Sequence, residues 1–181
     1  MKLDNKIYRV GRPVDITVIR EVLARLPEST WHAWQYRRQY YVEHAATNSI
    51  PFAFLENGRD PANPEFDQWF DQPQGLRDAV LPIAQAIADF YQGRIVKLML
   101  VRLPAGMTIP VHTDSGNALT QVHRCHLPIV TDPKVAFWIE GEEFYLEPGW
   151  WYEIDNTRQH AVNNRSGIDR IHLMCDIYSP R

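Results

Sequence analysis

Apolar residues recur along this chain at two different periods, and the change of period divides it. In ITVIREVLARLP, Ile16, Ile19, Val22 and Leu23 recur at three and four residues, the spacing of one helical face. Pro13 and Asp15 ahead of them read as a start and Pro27 as a stop. GLRDAVLPIAQAIADFYQG predicts a second helix, closed by Gly93, with Pro82 as a point of kinking. Between the two, STWHAWQYRRQYYVEH is aromatic and basic. NSIPFAFLENGRDPANPEFDQWFDQPQG is rich in Pro, Asn and Asp, which predicts surface loops and turns of the length that form lids. After Gly93 the texture becomes that of short strands: RIVKLMLVRL, IPVH, VHRCHLPIV, VAFWIE, EEFYLEP, WWYEID, HAVNN and RIHLMCDIY. The breaks between them, such as PAG, DSGN, EPG and NRSG, are turn chemistry at barrel or sandwich spacing. A helical, loop-rich segment 1–93 is therefore expected ahead of an antiparallel β core 94–181, a mainly β protein. No repeat or Gly/Ser linker interrupts it, so residues 1–181 are expected to be a single domain.

Composition narrows the partners. At 181 residues and 45% hydrophobic, the chain can bury a core without disulfides or structural metals. A formal net charge of -3 gives no electrostatic footprint for nucleic acid or an anionic membrane, so neither is expected as a partner. No apolar run approaches the roughly 20 residues that span a bilayer, and MKLDNKIYRV is unlike a secretory leader. Cys125 and Cys175 lie in apolar runs without CxxC spacing. Buried thiols in a reducing cytoplasm fit that best, with a disulfide between neighbouring strands as the alternative.

The chemistry starts at IPVHTDSG, where an apolar run delivers His112 and Asp114 into a Ser-Gly turn. Residues i and i+2 of an extended segment point to the same side, so the two can chelate together. With seven histidines in the chain, HxD alone is weak and reads equally as a surface turn. His160, ahead of the strand-like AVNN, supplies the third donor. Two neutral imidazoles and a carboxylate occupy one face of an octahedral metal and leave the rest open, the facial triad of non-haem Fe(II) oxygenases. Alternation then sorts the neighbouring strands. Arg124, His126 and Pro128 share one face of HRCHLPI, while Arg170, His172, Met174 and Asp176 share one face of RIHLMCDIY. A charged interior with an apolar, helix-covered exterior would produce that pattern, and so would a solvated face or an internal ion pair. Arg170, ten residues after His160, is placed to pair bidentately with a carboxylate, as a dicarboxylate cosubstrate would need.

The ordered series RLPAGMTIPVHTD, VHRCHLPIV, FYLEPGWWYEIDNTRQHAVNN and DRIHLMCDIY, spanning about residues 96 to 178, resembles the aspartyl/asparaginyl β-hydroxylase family of 2-oxoglutarate- and Fe(II)-dependent oxygenases. The resemblance implies a double-stranded β-helix, a cupin-like jelly-roll, with the N-terminal helices packed on the outer face of one sheet. It implies Fe(II) on His112, Asp114 and His160, with O2 and 2-oxoglutarate consumed. It also implies Arg170 on the distal carboxylate of 2-oxoglutarate, with Arg124 and His126 near its iron-bound end. Some animal members lack the carboxylate ligand, so Asp114 aligns this chain with the bacterial and phage-type branch. Some members carry a hydroxyl on the strand before HxD; KLMLVRL has none.

For the substrate, a small molecule or a peptide, WHAWQYRRQYYVEHAATN combines aromatic surface with positive charge, and Trp34 and Arg37 are candidates to line a site for a carboxylate-bearing amino acid. Packing of these aromatics onto the sheet, with the arginines facing water, is the competing reading. His44 and Arg102 are further candidates of the same kind, and Asn163 could bond near the metal or simply sit in a strand end. Two other functions share such a barrel: a non-catalytic metal- or carboxylate-binding module, and a cupin-type isomerase or dioxygenase. The open triad with Arg170 counts against the first, and the separation of His160 from the HxD pair against the second.

Overall fold

The computed structural model describes residues 5–180. Met1–Asp4, part of the stretch whose charge pattern is unlike a leader, lie outside them. The eight expected strands form at their expected places: β4 Arg94–Leu103, β5 Thr108–His112, β6 His123–Val130, β7 Val135–Ile139, β8 Glu142–Phe144, β9 Trp151–Ile154, β10 His160–Asn164 and β11 Arg170–Tyr178. Three further strands come from the N-terminal half: β1 Ile7–Val10, β2 Asn48–Phe54 and β3 Gln68–Trp69. Together they make a seven-stranded sheet in the order β1-β9-β6-β11-β4-β2-β3, facing a four-stranded sheet in the order β5-β10-β7-β8. This is the two-layer jelly-roll that the resemblance implies.

The larger sheet is apolar outward and charged inward. Leu98, Leu100, Cys125, Leu127, Leu173 and Cys175 pack against helices α1 Thr17–Ala24 and α4 Gln74–Phe90. Asp15 Oδ1 accepts from the Thr17 N–H at 2.9 Å as α1 begins, and α4 runs on through Pro82. After α4 the chain must pass close to β11: a Cβ at Gly93 would lie 2.6 Å from the Tyr178 carbonyl oxygen, so glycine is required by space. Cys125 and Cys175 are cross-strand neighbours, buried as free thiols, so the disulfide alternative is not realised.

The segment 1–93 is less loop-like than its composition predicts. NSIPFAF is not a surface loop; it is β2, buried along its whole length and paired with β4. Pro51 lacks an amide donor, yet it sits where the register shifts between Pro51 and Ala53, and a bulge tolerates proline. β1 likewise extends the sheet through β9. The remaining N-terminal helices, α2 Glu28–His32 and α3 Tyr36–Tyr40, lead into a 3-10 turn at Val42–His44. Arg37 of α3 and His44 of the turn reach the space between the sheets, so not all N-terminal helices lie on the outer face.

Candidate metal centre and its two cavities

Two of the three candidate donors are brought together by strand pairing. β10 runs antiparallel to β5 with His160 opposite His112, and the ring centroids are 4.3 Å apart. Asp114 follows two residues beyond β5. Its N–H donates to the Asn156 carbonyl at 3.0 Å, while Asn156 Nδ2 donates to Asp114 Oδ2 at 3.3 Å and to the Leu119 carbonyl at 3.0 Å. The donor atoms of His112, Asp114 and His160 lie within 4.8 Å of one another, with His160 Nε2 3.9 Å from Asp114 Oδ2.

The protonation states suit a metal. His112 Nδ1 donates to the Pro110 carbonyl at 2.8 Å and His160 Nδ1 to the Arg158 carbonyl at 2.9 Å, which leaves the Nε2 lone pair of each ring for a ligand bond. Burial lowers the His160 pKa and keeps it neutral. Burial alone would raise Asp114, but Arg124, His160 and His112 outweigh it and hold the carboxyl below its usual range. Arg124 grips Asp176 through Nε at 2.8 Å and Nη2 at 2.7 Å, and Asp114 through Nη1. Two imidazoles and one carboxylate, with no fourth His, Cys, Asp or Glu donor in the cluster among the described residues, fit an open octahedral site for Fe(II).

Two cavities adjoin the triad. The first, about 420 Å³, lies between the sheets, with apolar walls that include Val101, Ile109, Phe137 and Met174. Arg170 and His126 also line it. Arg170 is 1% exposed and has no ion pair among the described residues; its Nη2 meets His172 Nδ1 at 2.5 Å. Burial, then the field of Arg37, lowers its pKa to about 9. Arg170 Nε, His126 Nδ1 and His172 Nε2 are buried without a hydrogen-bond partner. Buried polar groups are rarely left so unless a ligand completes them. The second cavity, about 300 Å³, lies on the Asp114 side and is lined by Arg37, Tyr41, Glu43, Asn57 and Lys97 among others.

The site therefore assembles His112, Asp114, His160, Arg124, His126, Arg170, Arg37 and His44 from the sequence-level candidates. Others go elsewhere. Trp34 packs in an aromatic cluster with Tyr36, Phe54 and Phe70, and Arg102 lies over Trp31 beside Glu28. Asn163 alternates away from His160 and accepts from Thr108 at the sheet edge. Four participants carried no sequence signal of a role: Asn156, His172, Asp176 and Lys97. Alternation puts His172 and Asp176 on the Arg170 face, but only the register with β6 and β4 shows what they meet.

The Aspartyl/Asparaginyl beta-hydroxylase family profile matches residues 79–180. No curated protein matches the sequence. Among solved structures, a 2OG-Fe(II) oxygenase family oxidoreductase from Burkholderia pseudomallei is similar at 13% identity and a TM-score of 0.60, covering 91% of this chain and 77% of that one. The viral collagen prolyl hydroxylase of Paramecium Bursaria Chlorella virus-1, solved with 2OG, aligns at 8% identity and a TM-score of 0.61 over 98% of each chain. A non-heme monooxygenase, ThoJ, solved with nickel, aligns at 13% identity and a TM-score of 0.56, covering 98% of this chain and 75% of that one. At these identities the likeness is one of fold, whereas the profile covers more than half of the sequence and includes the HxD pair, His160 and Arg170. The chain belongs to the aspartyl/asparaginyl β-hydroxylase family of 2-oxoglutarate- and Fe(II)-dependent oxygenases.

Proposed function

We propose that residues 1–181 act as one catalytic domain that hydroxylates an unactivated C–H bond of an amino acid, free or within a peptide, and releases succinate and carbon dioxide. In this reading His112, Asp114 and His160 hold Fe(II) and Arg170 holds the distal carboxylate of 2-oxoglutarate. The observation that carries it is the pairing of an open three-donor site with a cavity that ends on a buried, unpaired arginine. Fe(II) and 2-oxoglutarate, when bound, supply with O2 the oxidising power that such a bond requires.

The chain's own residues position and insulate. His172 Nδ1 can only accept from the guanidinium of Arg170, which fixes the tautomer of His172 and the direction of Arg170. No hydroxyl faces inward from β4, where Met99 and Val101 stand, so His126 and His172 provide the polar atoms beside the cosubstrate. Arg124 borders its iron-bound end and, through Asp114 and Asp176, sets the carboxylate ligand. Val101, Phe137 and Met174 keep water from the cosubstrate wall.

Anaerobic addition of Fe(II) and 2-oxoglutarate is expected to give a weak visible charge-transfer band, accompanied in air by succinate formation. His112→Ala and Arg170→Ala each abolish the band at wild-type concentrations. Its survival in both variants would remove the assignment.

A further inference from the structure

The inner face of the larger sheet and the elements closing it carry more positive than negative charge. Asp114 and Asp176 are both taken by Arg124. Arg170 is left for the cosubstrate. That leaves Arg37 and Lys97, both buried, with no ion pair among the described residues. Arg37 reaches only Ser49 Oγ and Met99 Sδ, each at 3.5 Å, and Lys97 donates to Asn57 Oδ1 at 2.9 Å beneath the Phe54 ring. Neither set of contacts compensates a buried charge, which normally requires an anion. Both side chains line the second cavity, which also holds Asp114 and so opens beside the candidate metal. The same cavity is lined by Glu43, half-buried, whose carboxylate attracts Arg37 through space but makes no hydrogen bond or ion pair among the described residues. Two cations and one carboxylate thus line a single cavity, the charge pattern complementary to a zwitterion.

We propose that this second cavity binds the substrate as a free α-amino acid, its carboxylate on Arg37 and Lys97 and its ammonium on Glu43. The proposal rests on the hydroxylase reading and narrows its substrate class from any amino-acid residue to the zwitterion. Burial lowers the Arg37 pKa to about 10 and Lys97 to about 7, and a bound carboxylate would restore both. The orientation follows from the charges. With the carboxylate and ammonium fixed on the cavity wall, the amino-acid side chain is the part free to extend toward His112 and Asp114.

The test is calorimetric titration of the twenty common L-amino acids, with their carboxamides and N-acetyl derivatives, into the protein loaded anaerobically with Fe(II) and 2-oxoglutarate. At least one free amino acid binds, its carboxamide and N-acetyl forms bind at least tenfold more weakly, and Arg37→Met and Lys97→Met each weaken the free form at least tenfold. Glu43→Gln weakens the free form but leaves the affinity for the N-acetyl form unchanged. In Lys97→Met the visible band persists, because Lys97 lines the second cavity and not the first; Arg37 borders both cavities, so Arg37→Met is read by amino-acid affinity alone. Arg37→Lys, which keeps the charge, retains part of the affinity and guards against a folding artefact, as does an unchanged or higher Tm in Arg37→Met. If none of the twenty binds, or if blocked derivatives bind as tightly as the free acid, the zwitterion site is refuted while the band still supports the hydroxylase reading. Absence of the band in the wild type refutes that reading instead, and amino-acid binding without cosubstrate remains measurable.

Discussion

Lys97 shows how a single side chain reports on an interior built for ligands. Its ammonium is held down to about 7 by burial, which the attraction of Asp176 and Asp114, opposed by Arg124 and Arg37, does not overcome. An unfolded lysine titrates near 10.4, so between about pH 7 and 10 the unfolded state binds more protons than the folded one. Stability therefore rises with pH across that window, and the full penalty, of the order of a few kcal/mol, applies below pH 7. Urea unfolding of the metal-free protein should show the gap between wild type and Lys97→Met narrowing as pH rises from 7 to 10. A gap independent of pH would mean that Lys97 is solvated in the free protein. His172 makes the same point without titrating: its neutral Nδ1 accepts from Arg170, so the ring and the guanidinium are both set before any carboxylate arrives.

At the scale of elements, the loops between strands decide whether the triad forms. Asp114 sits at the start of a loop that turns at Gly116, with φ +111°, into the short helix α5 Asn117–Thr120. A Cβ at Gly116 would lie 2.6 Å from the Asn57 carbonyl oxygen, which also accepts from the Ala118 N–H at 3.0 Å. The Asp114 loop and the Asn57 loop are thus locked, and with them one candidate metal donor and the partner of Lys97. Gly116→Ala should lose about 2 kcal/mol, a Tm drop of roughly 4–8 °C, and weaken metal binding. Gly141→Ala, at φ +89° but with nothing within 4 Å, carries the backbone strain alone and should leave metal binding unchanged. Equal metal affinity in the two variants would show that the lock does not position Asp114. These elements also mark what was legible in the sequence. The strands from Arg94 onward were readable because apolar runs alternate with turn residues, and HxD with a later His survives any register. β2 was not, because Pro51 punctuates it and its burial on both faces removes alternation. Asn156 and Lys97 act through pairings between distant segments, and no local pattern carries those.

The whole molecule is a sandwich in which helices close the outer face of the larger sheet and whose interior is left electrostatically incomplete. Among the described residues, four buried cations, Arg37, Lys97, Arg124 and Arg170, face two buried carboxylates, Asp114 and Asp176, and the half-buried Glu43. Such an interior is stabilised by its ligands rather than by itself, since anything that binds only the folded state adds RT ln(1 + [L]/Kd), about 2.7 kcal/mol at a hundredfold excess over Kd. Metal and cosubstrate should also support each other, because a 2-oxoglutarate held at one end by Arg170 and at the other by the metal has two anchors where either partner alone offers one. Thermal unfolding with Mn(II) as a redox-quiet substitute is the measurement. Mn(II) and 2-oxoglutarate together should raise Tm by more than the sum of their separate effects, and chelation with EDTA should remove both the metal increment and most of the cosubstrate increment. Arg170→Met should lose the cosubstrate increment while keeping that of the metal, whereas His112→Ala should lose both. By reciprocity, the factor by which Mn(II) tightens 2-oxoglutarate must equal the factor by which 2-oxoglutarate tightens Mn(II). Strictly additive shifts would place the two ligands at sites that do not communicate, and the cavity beside the triad would then not be where the cosubstrate binds.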